Sequence, residues 1–173
     1  MNIETAVSIV AGYVYSLFLT MSKEPNFDLK SITHLRYIDW MITTPLILLT
    51  IVLFYSGDDL TNYKTFGLIA ALNWAMLYSG YLGETGAISK LAGFGLGFAF
   101  LFAVFYVFLC CIMGSGKSLV VFMIFAIIWS LYGVVYMIQD EETKNLYYNT
   151  LDVFAKAVFG VILWLYFGKV LKF

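Results

Sequence analysis

Hydrophobic residues run along this chain in long blocks, broken by short polar stretches. Residues 38–55, 91–113 and 119–138 carry one charge among them, Asp39. Each is close to the roughly 20 apolar residues with which a helix crosses a hydrocarbon layer of about 30 Å. Residues 3–21, 65–82 and 147–167 supply comparable stretches. The pattern predicts an all-α membrane protein of about six transmembrane helices. The breaks, at 22–35, 56–64, 83–90, 114–117 and 139–146, look too short for a second domain, so residues 1–173 are expected to form a single transmembrane domain.

Composition agrees, with 62% hydrophobic and 12% charged residues, far from the balance of a soluble domain. Residues 3–21 lack the basic leader of a secretory signal and carry Glu4 instead, so they are expected to remain as a mature span. The net charge of -1 gives no hint of nucleic acid. Cys110 and Cys111 are adjacent in an apolar helix, where neighbouring side chains diverge, so packing is expected and a disulfide is not. With alternate loops on alternate sides, Lys64, Lys117, Lys169 and Lys172 share one side with Asp58 and Asp59. The other side holds Glu24, Asp28, Glu84, Asp140, Glu141 and Glu142 with Lys23, Lys30, Lys90 and Lys144. The basic residues divide almost evenly; the small bias places the C-terminus in the cytoplasm and the acidic surplus outside.

Charges at bilayer depth are costly, and those that persist face the bundle interior and mark a site. Here they are Arg36, Asp39, Asp152 and Lys156. Asp152 and Lys156 stand one helical turn apart, and Arg36, Asp39, Thr43 and Thr50 form one stripe on another helix. Two readings stay open on spacing alone: a structural salt bridge, or a lysine poised to form a Schiff base with an aldehyde beside its counterions. Pro45 interrupts the Asp39 helix and is expected to bend it. Trp40, Trp74, Trp129, Tyr132 and Tyr136 lie within spans, where such residues are usually packing but can also line a slot for a long conjugated ligand.

The segment Arg36-Tyr37-Ile38-Asp39-Trp40-Met41-Ile42-Thr43-Thr44-Pro45-Leu46 resembles the third helix of microbial (type 1) rhodopsins. Leu151-Asp152-Val153-Phe154-Ala155-Lys156-Ala157-Val158-Phe159-Gly160 resembles their seventh. The resemblance implies all-trans retinal bound as a Schiff base on Lys156, with Asp39 as primary counterion and proton acceptor and Asp152 as second counterion. Arg36 would be the gate on the extracellular side, and Thr43 would hydrogen-bond Asp39. Trp129-Ser130-Leu131-Tyr132 is similar to the sixth helix, whose Trp and Tyr hold the retinal chain against Trp40. Thr44 and Ile47, then Asn73, Met76 and Gly80, then Phe94 and Gly97, match pocket positions of the third, fourth and fifth helices. Apolar Ile47 implies green rather than blue absorption. Gly133 and Tyr136 depart from the family's usual Pro and Trp, which implies a looser ring end. Ala11-Gly12-Tyr13-Val14-Tyr15 resembles the second helix, which leaves the family's first without a counterpart.

For function, the resemblance implies a light-absorbing protein that is not an enzyme, and foremost a light-driven outward proton pump in the lipid bilayer as a homo-oligomer. Asp39 argues against chloride pumping and Asp152 against inward pumping. Thr50 stands where many pumps carry the carboxylic acid that reprotonates the Schiff base, and a threonine cannot donate at neutral pH. Reprotonation is then slow, or Glu4 substitutes, unless Glu4 is simply a solvated residue at a frayed end. Asp140, Glu141 and Glu142 are either a proton-release group or a wetted acidic loop. The alternatives are a light-gated ion channel, disfavoured by Ala157 after the lysine and by a single glutamate on the second helix, and a sensory photoreceptor. A structural membrane protein with a buried salt bridge is the reading outside the family.

Overall fold

The computed structural model describes residues 2–56, 63–113 and 119–167. Asp58, Asp59, Lys117, Lys169 and Lys172, which entered the orientation argument, lie outside the described residues. The chain folds as α1 (Asn2–Met21), α2 (Ser31–Ser56), α3 (Tyr63–Glu84), α4 (Lys90–Val107), α5 (Val120–Tyr136), α6 (Glu141–Asp152) and α7 (Phe159–Phe167). A π-helical segment, Phe108–Ile112, extends α4, and another, Val153–Val158, joins α6 to α7 into one rod. The described residues contain no strand, and the helices form the bundle that the hydrophobic blocks predict.

The helices outrun the apolar blocks at the end of the bundle that holds Arg36. There α2 begins at Ser31 and the last rod at Glu141, because polar residues in their first turns are turned inward. Arg36 and Lys144 are each only 2% exposed, and hydropathy cannot register polar groups that find their partners inside the bundle. The outer surface is apolar: Ile9, Leu19, Phe102, Tyr106, Ile127 and Trp164 all face outward, as lipid contact requires. Among the described residues four helices, Ile3–Met21, Ser31–Ser56, Lys90–Ile112 and Glu141–Leu165, are long and apolar enough to cross a membrane. Cys110 and Cys111 lie on this outer surface, exposed and without a disulfide, so they do not pack into the bundle as expected.

Two local features fix the walls of the interior. Pro45 has no N–H to give the carbonyl of Met41, one turn earlier, and Trp74 of α3 donates its indole Nε1–H to that oxygen at 2.9 Å. The proline is thereby turned into a tie between α2 and α3. At the other end of α3, Gly86 adopts φ 78° in a tight turn, and Ser89 caps α4 by accepting from the Ala92 N–H at 3.2 Å. That turn brings α3 and α4 so close that a β-carbon on Gly93 would lie 3.1 Å from the Gly83 Cα. Near the opposite end, a core built on Leu48, Ile51, Ile69, Phe108 and Phe125 fills the bundle. A second cluster of Tyr37, Trp40, Leu77, Val135 and Tyr148 packs nearer Arg36.

Candidate functional site

The four deep charges meet in one place. Lys156, in the π segment, places Nζ 3.0 Å from Asp152 Oδ2. Its other partner is Asp39 Oδ2, reaching across from α2. Arg36 Nη1 lies 4.0 Å from Asp152 Oδ2. All four are buried, and their formal charges cancel. The π geometry around the lysine is invisible in the sequence, since it depends on how the helix packs; such single-turn widenings recur at functional sites.

The two carboxylates are held very differently. Asp152 accepts from Tyr15 Oη at 2.9 Å, Trp40 Nε1 at 3.0 Å and Tyr132 Oη at 2.5 Å, as well as from Lys156. Asp39 accepts from Lys156 through Oδ2, while its Oδ1 is buried with no hydrogen-bond partner. Thr43 hydrogen-bonds Asp39 as expected, but through the backbone and not the carboxylate: Thr43 Oγ1 donates to the Asp39 backbone carbonyl at 2.8 Å, the partner a helical threonine finds one turn back without leaving its own helix.

Arg36 is caged rather than free. Nη2 donates to Asn145 Oδ1 at 3.0 Å and to Asn149 Oδ1 at 2.8 Å, and the guanidinium lies 5.2 Å from the Phe18 ring centre and 5.4 Å from that of Tyr148. The sequence reading passed over Tyr15, Asn145, Asn149 and Tyr148. Steps of four, three and four link Asn145, Asn149, Asp152 and Lys156 on one face, and that spacing was the available signal.

From Lys156 an apolar cavity runs between the helices, enclosing about 750 Å³ of empty space including its mouth. Trp40, Thr44, Ile47, Met76, Gly80, Phe94, Gly97, Trp129, Tyr132 and Tyr136, all expected from the sequence, line it together with Lys156. Asn73 does not; it is buried behind the wall and donates Nδ2–H to Thr44 Oγ1 at 2.7 Å. Gly133, placed at the ring end by the resemblance, also lines the cavity, and Tyr37, Leu77, Gly93, Phe98, Leu101, Tyr148 and Ala155 line it without having been expected. The end near Gly133 is not the loose one anticipated, because the Phe98 ring occupies the space a side chain there would take. Trp40 and Tyr132 meet edge to face at 5.3 Å, which sets the cavity's width near the lysine.

On the side away from Arg36, a smaller cavity is lined by Glu4, Val7, Ile47, Thr50, Lys156, Gly160 and others. Thr50 spends its hydroxyl on the Leu46 carbonyl at 3.1 Å. Glu4 is thus placed against the interior and is not a merely solvated residue. The acidic loop divides among three roles. Asp140 caps α6 by accepting from the Thr143 N–H at 2.8 Å, and the bonds with Thr143 hold its carboxyl below the ordinary 3.8. Glu142 is exposed, and Glu141 pairs with Lys144.

A structural salt bridge alone would not require a long aromatic cavity ending on its lysine. The cavity's apolar and aromatic lining suits a long apolar molecule joined at Lys156. Fold and site together define a membrane-type helix bundle whose central apolar cavity ends on a lysine. The chain belongs to the bacteriorhodopsin-like protein family, whose profile matches residues 1–170, and members of that family bind retinal through a lysine. It is 29% identical over 154 residues to a blue-light absorbing proteorhodopsin from Gamma-proteobacterium Hot 75m4, covering 76% of this chain and 60% of that one. To bacteriorhodopsin of Halobacterium salinarum it is 29% identical over 149 residues, 74% of this chain and 54% of that one. The chain thus spans about 60% of the length of the proteorhodopsins it matches. Among solved structures it is similar to the viral rhodopsin OLPVRII, with TM-score 0.88 and 34% identity, over 99% of this chain and 82% of that one.

Proposed function

We propose that the chain binds all-trans retinal on Lys156 and uses light to move protons from the Glu4 side of the membrane to the Arg36 side, outward from a cytoplasm that also holds the C-terminus. The observation that carries this reading is the inequality of the two carboxylates. Both touch the lysine, yet three further donors bond the Asp152 carboxylate and none of these reaches Asp39. A proton taken up by Asp39 disturbs none of those three bonds, so Asp39 is the acceptor.

When bound, retinal supplies visible absorption, a protonated nitrogen at Lys156 and a light-driven change of shape. The protein does the rest. Trp40, Tyr132 and Trp129 confine the polyene, and the apolar cavity keeps water from the lysine. Asp39 Oδ2 takes the proton from Nζ along the bond already made. With that charge neutralised, Arg36 has lost one of its two nearby anions and is freer to swing on the bonds it already makes to Asn145 and Asn149, opening the way on its side. Reloading comes from the opposite side, where Glu4 is the carboxylic acid in the cavity shared by Thr50 and Lys156.

The test is light-driven acidification around cells supplied with all-trans retinal, with photocurrent recorded at zero voltage. A current that instead reverses with the ion gradients would identify a channel. Light absorption without current would leave the sensory reading. Colour surviving in Lys156→Ala would remove the attachment site.

A further inference from the structure

At the Arg36 end, beyond the counterions, a second set of charges gathers around one buried lysine that transfer between Lys156 and Asp39 does not use. Lys144, on α6, is 2% exposed and donates to Glu84 Oε2, at the end of α3, at 2.8 Å. It also donates to Glu141 Oε1, in its own helix's first turn, at 2.9 Å. Lys90 of α4 lies close by, bonded to the Ile138 carbonyl at 3.0 Å and over the Tyr136 ring at 5.6 Å. The formal charges of Glu84, Glu141, Lys90 and Lys144 sum to zero. The titratable groups facing it from other elements are Tyr37 on α2 and Tyr136 on α5, with Tyr148 on α6 itself; all three feel the charge of Glu84.

The Lys144–Glu84 pair joins the end of α3 to the start of the last rod, and Glu141 steadies Lys144 from within α6. Asn145, next to Lys144, accepts from Arg36 and donates to the Glu141 carbonyl. Gly83, next to Glu84, abuts the Tyr136 ring, and both Tyr136 and Tyr148, one turn beyond Lys144, line the retinal cavity. A proton leaving Asp39 past Arg36 arrives at this bridge. We propose that Lys144 is a positioning residue for that exit: through Glu84 and Glu141 it locks α3 to α6 and closes the cavity to water until Arg36 moves.

The inference rests on the reading of Arg36 as the exit side, and its test does not require pumping. Hydroxylamine displaces the Lys156 nitrogen from retinal as the oxime only where water carries it to that bond. The wild type is expected to bleach slowly in the dark. In Lys144→Gln and in the isosteric Glu84→Gln, bleaching quickens by about ten- to a hundredfold, the opened population gained when a charge-assisted hydrogen bond is lost. The swap Glu84→Lys with Lys144→Glu keeps the same three charges in the trio and restores slow bleaching. In the retinal-free protein, amide exchange at residues 84 and 141–145 follows the same order. Unchanged rates in both single variants overturn the lock. So does a swap that bleaches as fast as they do, since shape rather than ion pairing would then be responsible. A wild type that bleaches slowly but does not acidify the medium overturns the pump reading and leaves the lock standing.

Discussion

Replacing Asp39 by Asn leaves Asp152 as the sole carboxylate beside Lys156, and the structure states what should follow. Asp152 already touches the nitrogen at 3.0 Å, so geometry alone would allow it to take the proton. Energetics oppose it, because a protonated Asp152 forfeits part of what Tyr15, Trp40 and Tyr132 give its charge. A bond to a charged group is worth about 1.5–3 kcal/mol and one to a neutral group about 0.5–1.5, so about 1–1.5 kcal/mol is lost per bond, roughly 3–4.5 kcal/mol in all, or a factor of about 10²–10³ in the transfer equilibrium. Flash photolysis of Asp39→Asn should therefore show the blue-shifted, deprotonated chromophore reduced by about a hundred- to a thousandfold from its wild-type yield. Adding Tyr132→Phe, and then Trp40→Phe, should return it in steps of roughly five- to tenfold. Infrared difference spectra should place the new carboxylic band at Asp152 only in these multiple variants. A high yield in Asp39→Asn itself, with a carboxylic band that disappears on adding Asp152→Asn, would refute the argument from donor count.

Other expectations concern reloading, packing and pH. Glu4→Gln should slow recovery of the photocycle at least tenfold, by analogy with the loss of a general acid, and azide should restore it; recovery at wild-type speed would exclude Glu4. Tyr55 accepts from the buried Phe122 N–H at the start of α5 at 2.9 Å, so Tyr55→Phe should destabilise the protein by about 1–3 kcal/mol in detergent melts. Gly133→Ala drives a methyl group into the Phe98 ring, and should cost about 1–3 kcal/mol and slow retinal uptake. Asp140, held below its ordinary value by Thr143, contributes cap stability that is present above the unfolded carboxyl's 3.8 and disappears as pH falls through the lower folded value. The acid-side loss of α6 protection in hydrogen exchange should accordingly be smaller in Asp140→Asn.

Much of the site was legible because the membrane makes polar residues conspicuous. Arg36, Asp39, Asp152 and Lys156 stand out in apolar blocks, helical spacing puts them on two faces, and the structure joins those faces. The same spacing on the last rod includes Asn145 and Asn149, but uncharged polar groups near a helix end look like ordinary surface until Arg36 is seen to bind them. Lys144 and Glu141 were hidden more thoroughly. They read as loop charges, and became interior only when Glu84 came from α3 to neutralise the lysine.

The sequence by itself determined the class of fold, the four buried charges and most of the aromatic cavity, since hydrophobic length and helical period are local properties of the chain. Only the tertiary structure decided which carboxylate is bare and which is held by three donors, that Thr43 turns to a backbone carbonyl, that Trp74 answers the carbonyl released by Pro45, and that Phe98 fills the space beside Gly133. Each of these depends on a partner from another turn or helix. The free energy of a buried polar group is set by what surrounds it, and residue order alone does not specify that.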